Sequence, residues 1–471
     1  MLKESVLYST VGELAKQIQA KQLSPVELTE SYLERSEKFG PKLNAYARLM
    51  RNEALDQAQA AEKEIHRGHY RGPLHGIPYA AKDLFAVKGI PTTWGAKPFA
   101  DQVFNYNATV IDHLNHVGAV LLGKAAMIEL AGGFGYMYAS ASLQGETRNP
   151  WDTACWSGGS SSGSGAIVAA GLASFAIGTE TWGSIICPSA FCGVSGLRPT
   201  YGRVSRYGAM ALAYSLDKIG PLARSAEDCT RIFAAIAGHD PLDRGSLPID
   251  KAAFTFSPAA DLSPRVLRIG WLTNAWHEKD YQTSVATIID AARKALQHHF
   301  PSVRNAALPD GPWEEAANII LACESASAFS SFIRSGKSGE LVDPLGKIGG
   351  YANLTVSGAD YNSALRIREI LQEKMADLFG QFDVLASASL PVPATPLSMD
   401  ISKGLDFADP LGGIGNLCGL PALSVPCGFT EKKVPVGLLF VGRAGDDAVV
   451  LQAGRTYQQF TDWHRRHPKL D

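Results

Sequence analysis

The spacing of apolar residues separates an N-terminal helical part from a longer part of mixed secondary structure. In the stretch LSPVELTESYLERSEKF, Ser24 is suited to the N-cap of a helix whose first residue is proline. Leu28, Tyr32 and Leu33 then fall on one face of that helix. We therefore expect residues 1–70 to be helical and to pack on the core or on a subunit partner, with a homodimer as the candidate assembly.

From residue 71 onward, short apolar runs such as GIPYAAK, VLLGKA and ASFAIGTE alternate with helical patterns. This alternation is typical of an α/β fold built on a largely parallel sheet. LPALSVPCG and VPVGLLFVGR, joined by a short polar stretch, instead predict an antiparallel hairpin late in the chain. The polar segment at 240–264 is interpreted as an insertion or long loop, and residues 71–471 are predicted to form one domain.

Composition and charge exclude several classes of protein. Of 471 residues, 46% are hydrophobic and 19% are charged, which is typical of a folded globular protein. A net charge of -2 argues against a general nucleic-acid or membrane-surface binder. No apolar stretch reaches the roughly 20 residues of a membrane span and the N-terminus lacks a signal-peptide core, so we expect a cytoplasmic location. The seven cysteines are irregularly spaced, which predicts free thiols and no zinc site.

A glycine- and serine-rich stretch at 157–184, SGGSSSGSGAIVAAGLASFAIGTETWGS, is the strongest chemical signal in the chain. A phosphate-binding loop is disfavoured, because no Gly-Lys-Ser/Thr follows the glycines and no strand precedes them. Residues 159–163 match the GxSxG nucleophile elbow, but that motif also requires a preceding strand and a late histidine. The loop NPWDTACW stands before it, and His464 and His467 lie in a polar tail.

Simple geometry brings two serines of this stretch together. A ten-residue helix over 163–172 rises about 15 Å, and a six-residue strand over 173–178 covers roughly 20 Å in the opposite direction. The loops that hold Ser160 and Ser184 should therefore meet at the carboxyl end of a strand, where open α/β sheets place their sites.

A serine nucleophile needs a base, and Lys82 at the end of the run GIPYAAK is the best candidate. Burial in an apolar pocket lowers the pKa of a lysine and so allows it to act as a general base. The alternative is a structural lysine paired with an acid such as Asp83, and the spacing alone leaves both interpretations open. For Lys124, in LLGKAA, the structural interpretation is favoured.

Three separated motifs resemble those of the amidase signature family of serine hydrolases: GGSSSGSGAIVAAG, GTETWGSIICPSA and GVSGLRPTYGRVS. HGIPYAAKDLF is similar to the lysine motif of that family, and NLCGLPALSVPCG with VPVGLLFVG is similar to its C-terminal hairpin. The resemblance covers roughly residues 70–445. It implies an α/β fold with a single large mixed, mostly parallel sheet flanked by helices. It also implies a catalytic domain at 71–471 that cleaves the C–N bond of a small-molecule amide without cofactor or metal.

The resemblance also assigns roles to single residues. Ser184 matches the nucleophile that forms the acyl-enzyme, Ser160 the bridging serine with a cis peptide bond, and Lys82 the base. Backbone N–H groups that would stabilise the oxyanion belong to Thr181, Trp182, Gly183 and Ser184.

Three positions depart from the family pattern. Trp182-Gly183 replaces the usual Gly-Gly, and Trp182 tolerates a positive φ badly while adding an aromatic wall to the substrate pocket. Glu180 replaces an aspartate and Ile186 replaces an arginine, so we expect any pairing between these two positions to be lost. A remodelled pocket follows, with Trp182 as the first candidate for a substrate-binding residue.

Two alternatives to a free-standing amidase stay open. RPTYGRVSRYGAMA and SLDKIGPLARSAEDC resemble the A subunit of a glutamine-dependent tRNA amidotransferase, in which Arg368 could hold the glutamine carboxylate. An exposed helical arginine is the simpler interpretation of Arg368, and Ala125 and Ala126 replace polar residues of the tRNA-linked subunits. With Trp182 and Ile186, these features favour the free-standing amidase. The other alternative is a non-catalytic homologue that binds a ligand.

Overall fold

A computed structural model of the chain describes residues 2–247, 267–405 and 407–470. Most of the segment interpreted as an insertion or long loop, at 248–264, lies outside the described residues. Eleven strands make up one sheet. They are β1 (Tyr46–Leu49), β2 (Pro78–Lys82), β3 (Val120–Ala125), β4 (Phe175–Glu180), β5 (Ser195–Arg198), β6 (Lys218–Ala223), β7 (Arg268–Leu272), β8 (Ser302–Ala306), β9 (Val384–Ala388), β10 (Ala422–Phe429) and β11 (Pro435–Gly442).

The described residues also form sixteen α-helices. The first eight are α1 (Glu4–Leu7), α2 (Val11–Gln19), α3 (Pro25–Leu43), α4 (Arg51–His66), α5 (Thr109–His116), α6 (Ser162–Ala169), α7 (Ile186–Cys192) and α8 (Ala226–Ile236). The others are α9 (Thr283–His299), α10 (Trp313–Ala328), α11 (Ser330–Arg334), α12 (Pro344–Asn353), α13 (Gly358–Gln381), α14 (Ile401–Gly404), α15 (Pro410–Leu417) and α16 (Asp447–Gln459).

A single large mixed sheet is confirmed, but its predicted mostly parallel character is wrong. The strand order is β1-β3-β2-β4-β6-β5-β10-β11-β9-β7-β8. Six of the ten pairings between described strands are antiparallel, and they include the predicted hairpin of β10 and β11. The four parallel pairings join β2 to β3 and β4, and β7 to β8 and β9. Strands buried on both faces are apolar throughout in either orientation, so their sequence does not reveal the direction of pairing.

The first 70 residues contribute four helices and one strand that the helical pattern did not predict. Ser24 caps α3 by accepting a hydrogen bond from the amide of Glu27, and Leu28, Tyr32 and Leu33 are fully buried, as the spacing predicts. The strand β1 then pairs antiparallel with β3 at the edge of the sheet. Its four residues are too few to show an alternating pattern.

The strands β2 and β4 place the candidate chemistry. They are adjacent and parallel, so their carboxyl ends, at Lys82 and Glu180, lie at the same edge of the sheet. The helix α6 between Ser160 and β4 is buried at all eight positions, and it runs over Ser162–Ala169 rather than over 163–172. The following strand covers Phe175–Glu180 rather than 173–178, which leaves the predicted return of the chain intact.

Candidate active site

The ammonium group of Lys82 lies at the end of β2 and is fully buried. Its Nζ donates hydrogen bonds to Ser160 Oγ at 2.7 Å and to Thr179 Oγ1 at 2.9 Å. Asp83, the acid that could have paired with it, lies instead 2.8 Å from Nζ of the equally buried Lys124. Lys82 therefore has two hydroxyl partners, whereas Lys124 is the structural lysine of an ion pair.

Burial lowers the pKa of Lys82 from its ordinary 10.5 to about 7, because the charged form loses its hydration. The negative charges of Asp217 and Glu180 oppose this effect without cancelling it. A substantial share of Lys82 is thus neutral near pH 7, and a neutral amine can accept a proton from a neighbouring hydroxyl group.

The two serine loops meet at the edge of the sheet, as the helix and strand lengths predicted. The peptide bond between Gly159 and Ser160 is cis. The amide of Ser161 donates to the carbonyl oxygen of Ser184 at 3.3 Å, and the amide of Ile128 donates to the carbonyl oxygen of Ser160 at 3.2 Å. Ser160 and Ser184 are only 1% and 8% exposed, so both hydroxyl groups lie in a largely water-excluded site.

The turn that follows β4 adopts a conformation compatible with its unusual tryptophan. Gly183 takes the left-handed φ of 75°, and Trp182 does not lie among the residues with positive φ. The side chain of Thr181 donates to Asp217 Oδ1 at 2.6 Å. Within the described chain, no protein acceptor takes a hydrogen bond from the amides of Trp182, Gly183 and Ser184.

A buried carboxylate holds the start of α7 directly after this turn. Oε2 of Glu180 accepts hydrogen bonds from the amides of Ile185 at 2.9 Å and Ile186 at 3.0 Å. Oε1 of the same carboxylate lies 2.8 Å from Nη1 of Arg198. Burial alone would raise the pKa of Glu180, but Arg198 and the two amides lower it overall. Ile186 supplies no charge, as expected, but Glu180 is nevertheless paired, because Arg198 provides the guanidinium group.

A cavity of about 340 Å³ lies beside the turn, bounded by Gly159, Trp182 and Gly183. The indole of Trp182 is half-buried and donates from Nε1 to Asp409 Oδ2 at 2.8 Å. Asp409 also caps α15 by accepting from the amide of Gly412 at 2.9 Å, and burial raises the pKa of its carboxyl to about 7. The remaining wall of the cavity is mostly apolar, with Tyr136, Trp156, Leu390, Leu405 and Phe407.

Arg368 is not brought to this cavity. It is half-buried on α13, where Nη1 donates to Ser215 Oγ at 3.0 Å, and it lines a separate cavity of about 440 Å³ with Tyr201 and Cys418. In the described ranges, no group of three or more His, Cys, Asp or Glu side chains could hold a metal ion. None of the helices described is long and apolar enough to cross a membrane.

The sequence interpretation missed four residues that contact the candidate site. Thr179 lies within β4 and Asp217 directly precedes β6. No local sequence pattern distinguishes either residue from others in such positions. Asp409 precedes a proline and is recognisable only as a helix cap. Arg198 could have been proposed as a partner of Glu180, because a buried charge requires one.

Known proteins resemble this chain in both sequence and structure. The family model described as Amidase matches residues 27–451. The chain is 37% identical to the A subunit of glutamyl-tRNA(Gln) amidotransferase from Chloroflexus aggregans, over 98% of both chains. The structure of native peptide amidase from Stenotrophomonas maltophilia superposes with a TM-score of 0.86 at 31% identity, covering 98% of this chain and 99% of that one. The A subunit of glutamyl-tRNA(Gln) amidotransferase from Thermotoga maritima superposes with a TM-score of 0.81 at 26% identity, covering 99% and 98%.

Proposed function

The chain belongs to the amidase family, and from this premise we propose that it hydrolyses a small linear carboxamide through an acyl-enzyme on Ser184. In the first step, Oγ of Ser184 attacks the amide carbonyl carbon and passes its proton to Ser160. Ser160 passes its own proton to neutral Lys82, with which it shares the 2.7 Å hydrogen bond. Through Ser160, Lys82 can thus accept the proton of Ser184, which it does not contact directly.

The tetrahedral intermediate then collapses. The amides from Thr181 to Ser184 are the proposed donors to the oxyanion, and they need no reorganisation when the charge develops. The relay returns the proton to the leaving nitrogen, the C–N bond breaks, and an amine or ammonia departs. Water then hydrolyses the Ser184 ester by the same relay, which releases the carboxylic acid.

The contrast between two buried lysines carries this proposal. Lys124 and Lys82 are both 0% exposed, but Lys124 is neutralised by Asp83 at 2.8 Å. Lys82 has no carboxylate within ion-pair distance in the part of the chain that the structure describes, and contacts Ser160 and Thr179 instead. A buried lysine without a counter-ion costs stability, so its presence beside the hydroxyl groups of Ser160 and Thr179 is best explained by catalysis.

For an acyl group bound in the Trp182 cavity, the lack of a lysine or arginine in its described lining favours a free-standing amidase over a glutaminase. Asp409 and Glu314 line the cavity, and among its described lining residues there is no lysine or arginine to bind a carboxylate. The carboxylate of a bound glutamine would face Asp409 and Glu314, with no lysine or arginine of this cavity to bind it. Neutral amides fit a cavity of this kind better. We further propose a cytoplasmic enzyme, a compartment suited to the seven free cysteines.

A serine-directed fluorophosphonate probe tests the proposal. We expect the wild-type protein to be labelled and to hydrolyse at least one member of a panel of aliphatic, aromatic and amino-acid amides. The variants Ser184→Ala and Ser160→Ala should lose both activities while keeping the wild-type thermal midpoint. Equal labelling of wild type and Ser184→Ala would refute Ser184 as the nucleophile. An unlabelled wild type that binds an amide unchanged would support the non-catalytic alternative.

A second candidate is the A subunit of a glutamine-dependent tRNA amidotransferase. The observation in its favour is the name of the curated relatives, which are 35–37% identical over nearly their whole length. Under this alternative, the chain alone would release little ammonia, and a partner subunit would stimulate glutamine hydrolysis. Affinity purification from its native host followed by a glutaminase assay distinguishes the two candidates.

A further inference from the structure

The carboxylate of Glu180 connects three separate parts of the fold. It sits at the end of β4, 0% exposed, and it holds the two amides that directly follow Ser184. Its other oxygen binds the guanidinium group of Arg198 on β5. Both oxygens are therefore occupied, and each is fixed by a different element of the structure.

The guanidinium group of Arg198 is itself held by two hydrogen bonds, one to Glu180 and one to the main chain before β10. It is 3% exposed, and its Nε donates to the carbonyl oxygen of Leu420 at 3.1 Å, just before β10. On α15, Gly415 leaves room for it, because a Cβ there would lie 2.5 Å from Nη2. A guanidinium group can make several such contacts at once, which an ammonium group cannot do with the same geometry.

We propose that the Glu180–Arg198 ion pair positions the turn from Thr181 to Ser184, called the oxyanion turn below. The pair holds the amides of this turn in their reactive orientation. The inference rests on the proposed function of this turn. The sheet holds the start of the turn, because Glu180 belongs to β4. The carboxylate of Glu180 holds its end through the amides of Ile185 and Ile186. In this chain the guanidinium group comes from the sheet, whereas Ile186 in α7 contributes only its amide.

The proposed role makes a specific kinetic prediction. The turn contacts the substrate oxygen most strongly when negative charge develops on it, so a misaligned turn should slow the reaction more than it weakens substrate binding. The variant Glu180→Gln keeps the shape of the side chain but removes the charge. We expect kcat to fall at least tenfold, KM to stay within threefold, and the rate of fluorophosphonate labelling to fall in parallel with kcat.

A double variant separates positioning from stability. Glu180→Gln alone leaves the buried Arg198 without its counter-ion, whereas Glu180→Gln combined with Arg198→Met removes both charges and is better suited to fold. Both proteins lack the anchoring carboxylate and should show the same kinetic change. The matched control is Arg268→Met with Asp383→Asn, which removes an ion pair of 2.9 Å between β7 and the segment before β9.

The outcomes are distinct. A fall in kcat with constant KM in the folded Glu180 variants, and wild-type kinetics in the control, support the inference. Wild-type kcat in either folded Glu180 variant overturns it, and so does a raised KM with unchanged kcat. A wild-type protein that cleaves no amide refutes the proposed function. Differences in kcat among active variants bear only on the role of the ion pair.

Discussion

The indole nitrogen of Trp182 donates a hydrogen bond of 2.8 Å to the carboxyl group of Asp409, although 227 positions separate the two residues. The contact joins the proposed oxyanion turn to the cap of α15. It also gives the half-buried Asp409 a donor, which is one reason why its carboxyl can be accommodated beside a largely apolar cavity. Trp182 is thus both a wall of the cavity and a part of its polar framework.

Trp182→Gly should change which acyl groups the enzyme accepts. Removal of the indole enlarges the cavity, so we expect kcat/KM to rise about tenfold for amides with long or branched acyl chains relative to acetamide. Steady-state kinetics on a series of aliphatic amides measure this ratio. Trp182→Phe is the matched control, because it keeps most of the wall and loses the hydrogen bond to Asp409. An unchanged ratio in Trp182→Gly would mean that the acyl group binds elsewhere.

The activity should depend on pH through Lys82. With the pKa of Lys82 lowered to about 7, the neutral base becomes predominant above pH 7, so kcat/KM should climb from pH 6 and level off by about pH 8. Lys82→Ala should lose about 10²- to 10⁴-fold in kcat and lose this climb. A pH–rate profile of both proteins provides the measurement. The same climb in Lys82→Ala would assign it to a different group.

The stability of the wild-type protein should increase with pH in the alkaline range because of the same residue. The pKa of Lys82 is about 7 in the folded protein and 10.5 in the unfolded chain, so between these values the unfolded chain binds more protons. Lys82→Met should therefore raise the free energy of unfolding at pH 7, and this gain should shrink towards pH 10. Lys124→Met is the contrasting variant, since it leaves Asp83 buried without its partner and should cost about 3–5 kcal/mol. Urea unfolding at several pH values tests both, and a stabilised Lys124→Met would contradict the structural role of that pair.

The sequence predicts that the loops of Ser160 and Ser184 meet, because consecutive helix and strand lengths determine where a chain returns, whereas for Lys82 the spacing alone left a base and a structural lysine both open. The α3 cap and the late hairpin are likewise local, and the structure agrees with both. The direction of strand pairing depends on the tertiary fold and not on the local sequence. An apolar strand such as β4 has the same sequence pattern beside a parallel or an antiparallel neighbour. This explains why the mostly parallel sheet was wrongly predicted.

The polar contacts around the site were harder to predict than its central residues. Glu180 and Arg198 are 18 positions apart, but Trp182 and Asp409 are 227 apart, and neither distance leaves a periodic pattern. Such pairs form because a buried charged or polar group must be satisfied by whichever element packs against it. The requirement for a partner is therefore predictable, whereas its identity depends on the tertiary fold.

Thr179 should affect the orientation and the pKa of Lys82 without itself transferring a proton. Its hydroxyl is the second acceptor for Lys82 Nζ, at 2.9 Å, and it helps to orient the amine towards Ser160. Thr179→Val removes this acceptor at nearly constant volume, so we expect kcat to fall about tenfold, the cost of one buried hydrogen bond. The acid limb of the pH profile should also shift to lower pH, because the charged form of Lys82 loses an acceptor. Thr179→Ser keeps the hydroxyl and should restore both properties, and equal losses in the two variants would assign the effect to packing rather than to the hydrogen bond.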